Sequence, residues 1–318
     1  MDSPRESTFS ISPADPLAEK EVLALAALAW PQEERADLWR EIRQAATADE
    51  GAVVLLAARS EDRLLAAALA HLLPGRAAVV WPPQFVTTAD SSNSAIAGRL
   101  LNDLAVTLGA RGAVLAQTLL AAGDRQSERM RAGGFILAAE LLYMAIETET
   151  IPEQPPDLPF DLRCFSTGEE PALIALIDRT YQRTLDCPQI DGLRATADVV
   201  RGHRSVGQFR PELWQILLVE GREAGCLLVN LHPDVGHAEL VYLGLAPEVR
   251  GRGYGWLLTR QAMWLARQAR VDRLVLAVDA ANRPAIAAYE RAGLTERDRR
   301  ALWYRPLVKA ATGAAASS

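Results

Sequence analysis

The residues best suited to chemistry lie late in the chain, and the most telling are Arg250-Gly-Arg-Gly253-Tyr-Gly255. Gly251, Gly253 and Gly255 remove every second side chain where an apolar strand (240–245) passes through Pro247 toward a helix. Glycine tolerates positive φ and lets a ligand come close to the backbone. A helix N-terminus offers unpaired N–H groups and a partial positive charge, which suits a phosphate. Arg250 and Arg252 add full charges at the same place. The spacing is not that of a dinucleotide fold, because Trp256 stands where a third glycine is required. Nor does Gly-Lys-Ser/Thr follow, as a P-loop demands. A basic turn of the kind found in nucleic-acid tails is the competing reading.

The flanking elements decide between the two. Leu257, Leu258, Ala262, Leu265 and Ala269 recur at helical spacing, so 255–269 should form an amphipathic helix. Leu274-Val-Leu-Ala-Val278 reads as a strand buried on both faces. Strand, helix and strand then make one right-handed crossover with the glycine loop at its first turn. Asn282-Arg-Pro-Ala-Ile-Ala-Ala-Tyr-Glu-Arg-Ala-Gly-Leu294 comes next. Together the two stretches resemble the GNAT acyltransferase superfamily. Its loop reads Gln/Arg-x-x-Gly-x-Gly/Ala and its following helix Asn-x-x-Ala-x-x-x-Tyr-x-x-x-Gly-Phe. Leu294 in place of Phe is the departure.

The resemblance implies acetyl-CoA as donor. Acetyl transfer to an amine needs a held donor, a deprotonated amine, oxyanion stabilisation and a protonated leaving thiol. By resemblance, Gly244, Leu245, Ala246, Arg250, Gly251, Arg252, Gly253, Tyr254, Gly255 and Asn282 hold the donor. The Leu245 N–H would then lie beside the thioester carbonyl, where one fixed hydrogen-bond donor can contribute about 3 kcal/mol. Tyr289 is the candidate acid, since a phenol of ordinary pKa near 10 is protonated at neutral pH; packing a helix on the sheet is its bland alternative. Glu239, eleven residues before Arg250, is the candidate base, and strand alternation puts it on one face with Val241 and Leu243. His237 is the alternative base, and an exposed edge glutamate the structural alternative. Cys226 reads as a small buried hydrophobe, so no covalent intermediate is implied.

Length and composition set the frame. A chain of 318 residues suggests two domains, and a net charge of -6 argues against a general nucleic-acid binder. Cys164, Cys187 and Cys226 follow no metal or disulfide spacing, so no metal is expected. No apolar run approaches the roughly 18 residues of a membrane span, and no leader opens the chain, so a cytoplasmic enzyme is the expectation. The fold class expected is α/β (α+β), as two tandem GNAT-like domains. Each would be a twisted, mixed, mainly antiparallel sheet flanked by helices around a central βαβ crossover.

The domain boundaries expected are a disordered 1–15, a degenerate domain over 16–147, a proline-rich linker over 148–160, an active domain over 161–309 and a disordered 310–318. Pro152, Pro155, Pro156 and Pro159 mark the linker. Trp30-Pro31 should break an early helical stretch, and hairpins are expected around Ser60-Glu61-Asp62 and Gly221-Arg222-Glu223-Ala224. Met130-Arg-Ala-Gly-Gly-Phe135 resembles Tyr289-Glu-Arg-Ala-Gly-Leu294, which points to an internal duplication.

The first copy reads as catalytically silent. At the repeat offset Gly75 replaces Glu239, Gly123 replaces Asn282 and Met130 replaces Tyr289, leaving at most an anion site at Ser91-Ser92-Asn93. The tandem layout resembles the mycothiol synthases. Their acceptor-contacting glutamate is Gln189 or Asp191 here, and their strand lysine is absent from 226–231, so fold and donor carry over but the acceptor does not. The expected acceptor is a primary amine of a small molecule or peptide, taken in a ternary complex by a monomer whose internal pair imitates a dimer. A non-catalytic acyl-CoA-binding module is the alternative.

Overall fold

The structure, a computed structural model, describes residues 9–87 and 93–307. The chain divides into two units, 1–137 with 302–318, and 138–301. The cut thus falls ahead of the proline-rich stretch.

The first unit runs β1 (Ser10–Ala14), α1 (Lys20–Ala26), α2 (Arg35–Ala48), β2 (Val53–Ser60), β3 (Arg63–Leu73), β4 (Ala77–Val80), β5 (Gln84–Phe85), α3 (Asn93–Ala110), β6 (Leu115–Ala121) and α4 (Gln126–Ala132). Its strands lie in the order β1-β2-β3-β4-β6, with β5 paired to β3. Only β4 and β6 run parallel. Trp30 is extended and ends the first helical stretch, as the following proline requires. Its ring packs edge-on against Trp39 and Trp81 in the core beneath β2 and β3. Ser10–Ala14 lies within the stretch expected to be disordered and forms an edge strand on β2. Its serines and proline disguise the strand, and an edge is where Pro13 is tolerated.

The strand β7 (Ile136–Glu147) leads into the second unit, where β8 (Asp161–Cys164), α5 (Glu170–Tyr181), α6 (Thr196–Ser205), β9 (Trp214–Val219), β10 (Arg222–His232), β11 (His237–Leu245), α7 (Tyr254–Gln268), β12 (Arg273–Asp279) and α8 (Arg283–Ala292) follow; β13 (Thr295–Pro306) begins in the second unit and ends in the first. The sheet order is β7-β12-β11-β10-β9-β8. Among these six strands, in the described residues, only β11 and β12 run parallel. The β9–β10 turn is tighter than expected: Glu220 and Gly221 both have positive φ, the signature of a two-residue type I′ turn, so Arg222 already belongs to β10. Helix α5 packs on one face of β10 and β11, and α7 with α8 on the other. Among the described residues no helix is long and apolar enough to cross a membrane.

The two copies share one pattern. In the first, Ala77, Ala78 and Val79 pair with Leu115, Ala116 and Gln117. In the second, His237, Ala238 and Glu239 pair with Arg273, Leu274 and Val275. The counterpart of Glu239 is therefore Val79, not Gly75, which lies in the preceding turn. Counting back from the end of the strand misplaces it, because β11 runs on to Leu245 while β4 ends at Val80. Met130 does sit on α4 as Tyr289 sits on α8, and both are buried. Of the expected anion site, Ser91 and Ser92 lie outside the described residues, and Asn93 opens α3 with its side-chain amide donating to the Thr87 carbonyl at 3.1 Å.

Strand β7 is integral to the second unit. Leu142, Met144 and Ile146 share a core with Leu274, Leu276, Val278, Ile286 and Tyr289, and Met144, 2% exposed, pairs opposite Leu276. Met144→Ala should cost about 2–5 kcal/mol, the range for truncating a buried aliphatic side chain. Urea denaturation, read through exchange of the Leu274–Val278 amides, is the measurement. A loss below about 1 kcal/mol would make β7 peripheral to that core.

Candidate active site

The site starts with an irregularity in β11. Leu228 pairs with Tyr242 but Val229 with Leu240, so Val241 is an extra residue, a β-bulge. Alternation breaks there. Leu240 and Leu243 both pack into the core beneath α7 and α8, while Val241 and Tyr242 pack toward α5. Glu239, Val241 and Leu243 therefore do not share one face, as strict alternation suggested. Glu239 lies on the α6 side, near enough for its charge to act on His203.

The parallel pairing of β11 with β12 ends at Glu239 and Val275, although β11 continues to Leu245 and β12 to Asp279. A bulge bends and twists the strand that carries it, and beyond it the two strands part. The Ala246 N–H bonds the Ala224 carbonyl on the β10 side at 2.8 Å. Because antiparallel amides alternate in direction, the Leu245 N–H points away from β10, toward the parted strands.

The glycine loop closes the wide end of this wedge. Pro247–Val249 makes a turn, and Gly253 (φ 81°) begins α7 with no side-chain cap. Gly251 (φ 76°) is also left-handed, and a Cβ at either glycine would meet nothing within 4 Å. Backbone conformation, not crowding, requires glycine there, and the first amides of α7 look onto open space. Arg252 lies beside Arg179, Arg222 and Glu248 along an adjoining groove. Gly244 lies against Thr180 and Tyr242, and Gly255 makes only ordinary contacts with Leu245 and Ala288. The Tyr254 ring packs edge-on against Phe160.

Two expected ligand contacts have other partners. Arg250 spends its guanidinium on three backbone carbonyls: Leu245 (3.0 Å), Arg183 (3.2 Å) and Thr180 (2.7 Å). It braces the loop to the end of α5, and burial lowers its pKa. Asn282 caps α8 by accepting the Ala285 N–H at 3.4 Å, and also bonds Asp186. That second bond belongs to an anchor the sequence did not reveal. Asp186 accepts the Asp279 N–H at 2.9 Å, and Asp279 accepts the Cys187 N–H at 3.0 Å. The 183–192 loop is thereby tied to the end of β12. Burial raises the pKa of Asp186.

Tyr289 lies on the α7–α8 face, 8% exposed, its pKa raised first by burial and then by Asp186. Glu239 and Tyr289 thus approach the wedge from opposite faces of the sheet. Glu239 Oε2 lies 3.0 Å from His232 Nε2, and the His232 ring stacks on that of His237. His232 escaped the sequence reading, although hairpin pairing opposite His237 was its available signal. Beyond them, Tyr242 bonds Thr180 hydroxyl to hydroxyl at 2.6 Å and packs edge-on with Tyr181. Burial raises the pKa of both tyrosines. It also raises both buried thiols, Cys226 to about 12, which leaves neither a ready nucleophile.

His203, behind Tyr242, has its pKa lowered to about 4, chiefly by burial and then by Arg194. Between pH 6.5 and 4 the unfolded chain binds this proton and the folded chain does not. Stability should therefore fall as pH drops through that window, by up to a few kcal/mol. His203→Gln should flatten this part of the urea-denaturation profile. An unchanged slope would place His203's proton outside the acid response.

Residues 177–294 match the Acetyltransferase (GNAT) family. The mycothiol acetyltransferase of Beutenbergia cavernae is 38% identical over 139 residues, which cover 42% of this chain and 44% of that relative, less than half its length. A GCN5-related N-acetyltransferase from Sphaerobacter thermophilus has a similar fold, with a TM-score of 0.62 and 19% identity over 94% of this chain and 96% of that one. A tandem GNAT protein from the clavulanic acid biosynthesis pathway gives 0.53 and 15%, over 95% of this chain and 99% of that one. The match to the GNAT family therefore covers residues 177–294, and over nearly the whole chain the fold is similar to that of solved GNAT proteins, a tandem one among them.

Proposed function

We propose that the chain transfers an acetyl group directly from acetyl-CoA to a primary amine of a small molecule or peptide. The observation that carries this reading is the parting of β11 and β12 beyond Glu239 and Val275. Backbone groups of β11 facing the gap lack a strand partner on that side, and buried backbone polar groups need one. The amide-bearing arm of coenzyme A can supply it. Its pyrophosphate fits the uncapped start of α7, where Gly251 and Gly253 leave the approach open. The amides of Arg250 to Gly255 carry this contact, with Arg252 as the cation nearby.

The chemistry follows from the wedge. The acceptor enters from the α5–α6 face, where Glu239 takes the proton of the amine and His232 holds the carboxylate at 3.0 Å. The amine nitrogen attacks the thioester carbon, and the Leu245 N–H stabilises the oxyanion that forms. The C–S bond then breaks, and Tyr289 protonates the departing sulfur from the opposite face. Its raised pKa keeps the phenol protonated for that step. Tyr181, Tyr242 and the tethered 183–192 loop flank the acceptor and select it.

Thiol release from acetyl-CoA across a panel of amines and peptide amines tests the reading. Tyr289→Phe keeps the ring and removes the proton donor, so kcat should fall about 10²–10⁴-fold while acetyl-CoA affinity stays within about threefold. A kcat within about threefold of wild type would give the hydroxyl a packing role only. Tight acetyl-CoA binding with no thiol release from any acceptor would instead favour the acyl-CoA-binding module.

A further inference from the structure

Among the described residues, the one cluster of metal-ligand type lies on the β10–β11 hairpin: His232, His237 and Glu239. His232 ends β10, His237 stands directly opposite, and Glu239 follows two positions on, so strand pleating brings the three to one face. Their donor atoms fall within 4.8 Å of one another. The 3.0 Å between His232 Nε2 and Glu239 Oε2 is close to one edge of a coordination polyhedron, since metal bonds of about 2.0–2.1 Å at tetrahedral angles hold ligands roughly 3.3 Å apart. The third ligand needs only a tilt of His237, whose ring centre lies 4.5 Å from that of His232.

Two further observations fit a ligand. His237 Nδ1 is buried and has no hydrogen-bond partner of good geometry, although the Val235 backbone lies beside the ring; a buried polar atom so placed is uncommon. Gly207, where a Cβ would stand 2.6 Å from the Leu231 carbonyl and 2.8 Å from His232 Nε2, keeps that imidazole nitrogen clear. The first unit carries Val79 at the Glu239 position, so the set is confined to the second copy. Arg273, opposite His237 on β12, is exposed and therefore screened.

We propose that His232, His237 and Glu239 bind a divalent transition-metal cation of the Zn²⁺ class, leaving its remaining positions to water. Two imidazoles and one carboxylate suit such an ion better than Mg²⁺ or Ca²⁺, which prefer all-oxygen sites. A bound cation would occupy the Glu239 lone pair that otherwise accepts the amine proton, and so block acetyl transfer. That consequence, unlike binding itself, rests on the role given to Glu239 above.

The test is a titration of the full chain with Co²⁺, whose visible absorption reports its ligands, followed by competition with Zn²⁺. One Co²⁺ per chain, displaced by Zn²⁺, is expected. Affinity should fall at least about tenfold in His232→Ala, in His237→Ala and in Glu239→Gln, since even outer partners of metal ligands are worth that much. Glu239→Gln keeps the side chain's shape and decides the matter if a histidine change unfolds the chain by circular dichroism. No visible band in the wild type, or equal affinity in the folded variants, overturns the proposal. Wild-type chain that binds Co²⁺ yet transfers acetyl at its metal-free rate keeps the site and removes Glu239 as the base. Chain that turns over but binds no Co²⁺ does the reverse.

Discussion

A single extra residue, Val241, shapes everything around it. Two parallel strands with flanking helices on both faces would normally stay paired to their ends, burying the backbone groups of both. Here the bulge at Val241 bends β11 just past its three pairs with β12, and a slot opens through the sheet. The slot is costly to leave empty, because along its edges β11 and β12 no longer pair with each other and backbone polar groups need a partner. In the proposed reaction it is also what lets two side chains from opposite faces, Glu239 and Tyr289, work on one substrate.

The surroundings keep the slot from collapsing. Arg250 ties the loop to the end of α5 through three carbonyls. Asp186 and Asp279 tie the 183–192 loop to the end of β12. Both braces place an ionisable side chain against backbone groups, and such charge-assisted bonds are among the stronger ones a chain can make. They fix the two rims of the slot independently of any ligand, so the site is largely built before one arrives.

Much of this was legible in the sequence, for reasons that can be named. The glycine loop and the Asn282–Leu294 stretch are local: each signals through spacing along one turn or one helix, and each lies where its pattern places it. What escaped detection depended on contacts far apart in the chain. Arg250 looked like a phosphate ligand because its spacing to Gly253 fits one, and nothing local reveals the carbonyls of Thr180 and Arg183. The bulge was hidden because Leu240-Val-Tyr-Leu243 is apolar throughout, so a broken alternation leaves no mark on composition. Val79 was missed as the counterpart of Glu239 because β11 runs on to Leu245 while β4 ends at Val80, so counting back from the strand end loses the register. His232 was passed over because its pairing with His237 and Glu239 exists only once the hairpin is closed.

In the proposed reaction the parted strands and the start of α7 receive acetyl-CoA. Amide hydrogen exchange on the full chain, with and without acetyl-CoA, measures this most directly. Bound acetyl-CoA should add protection at Leu243–Leu245, Gly251–Trp256 and Leu276–Asp279, with little change over β2 and β3. Protection concentrated in the first unit, or none at the glycine loop at saturating acetyl-CoA, would contradict it.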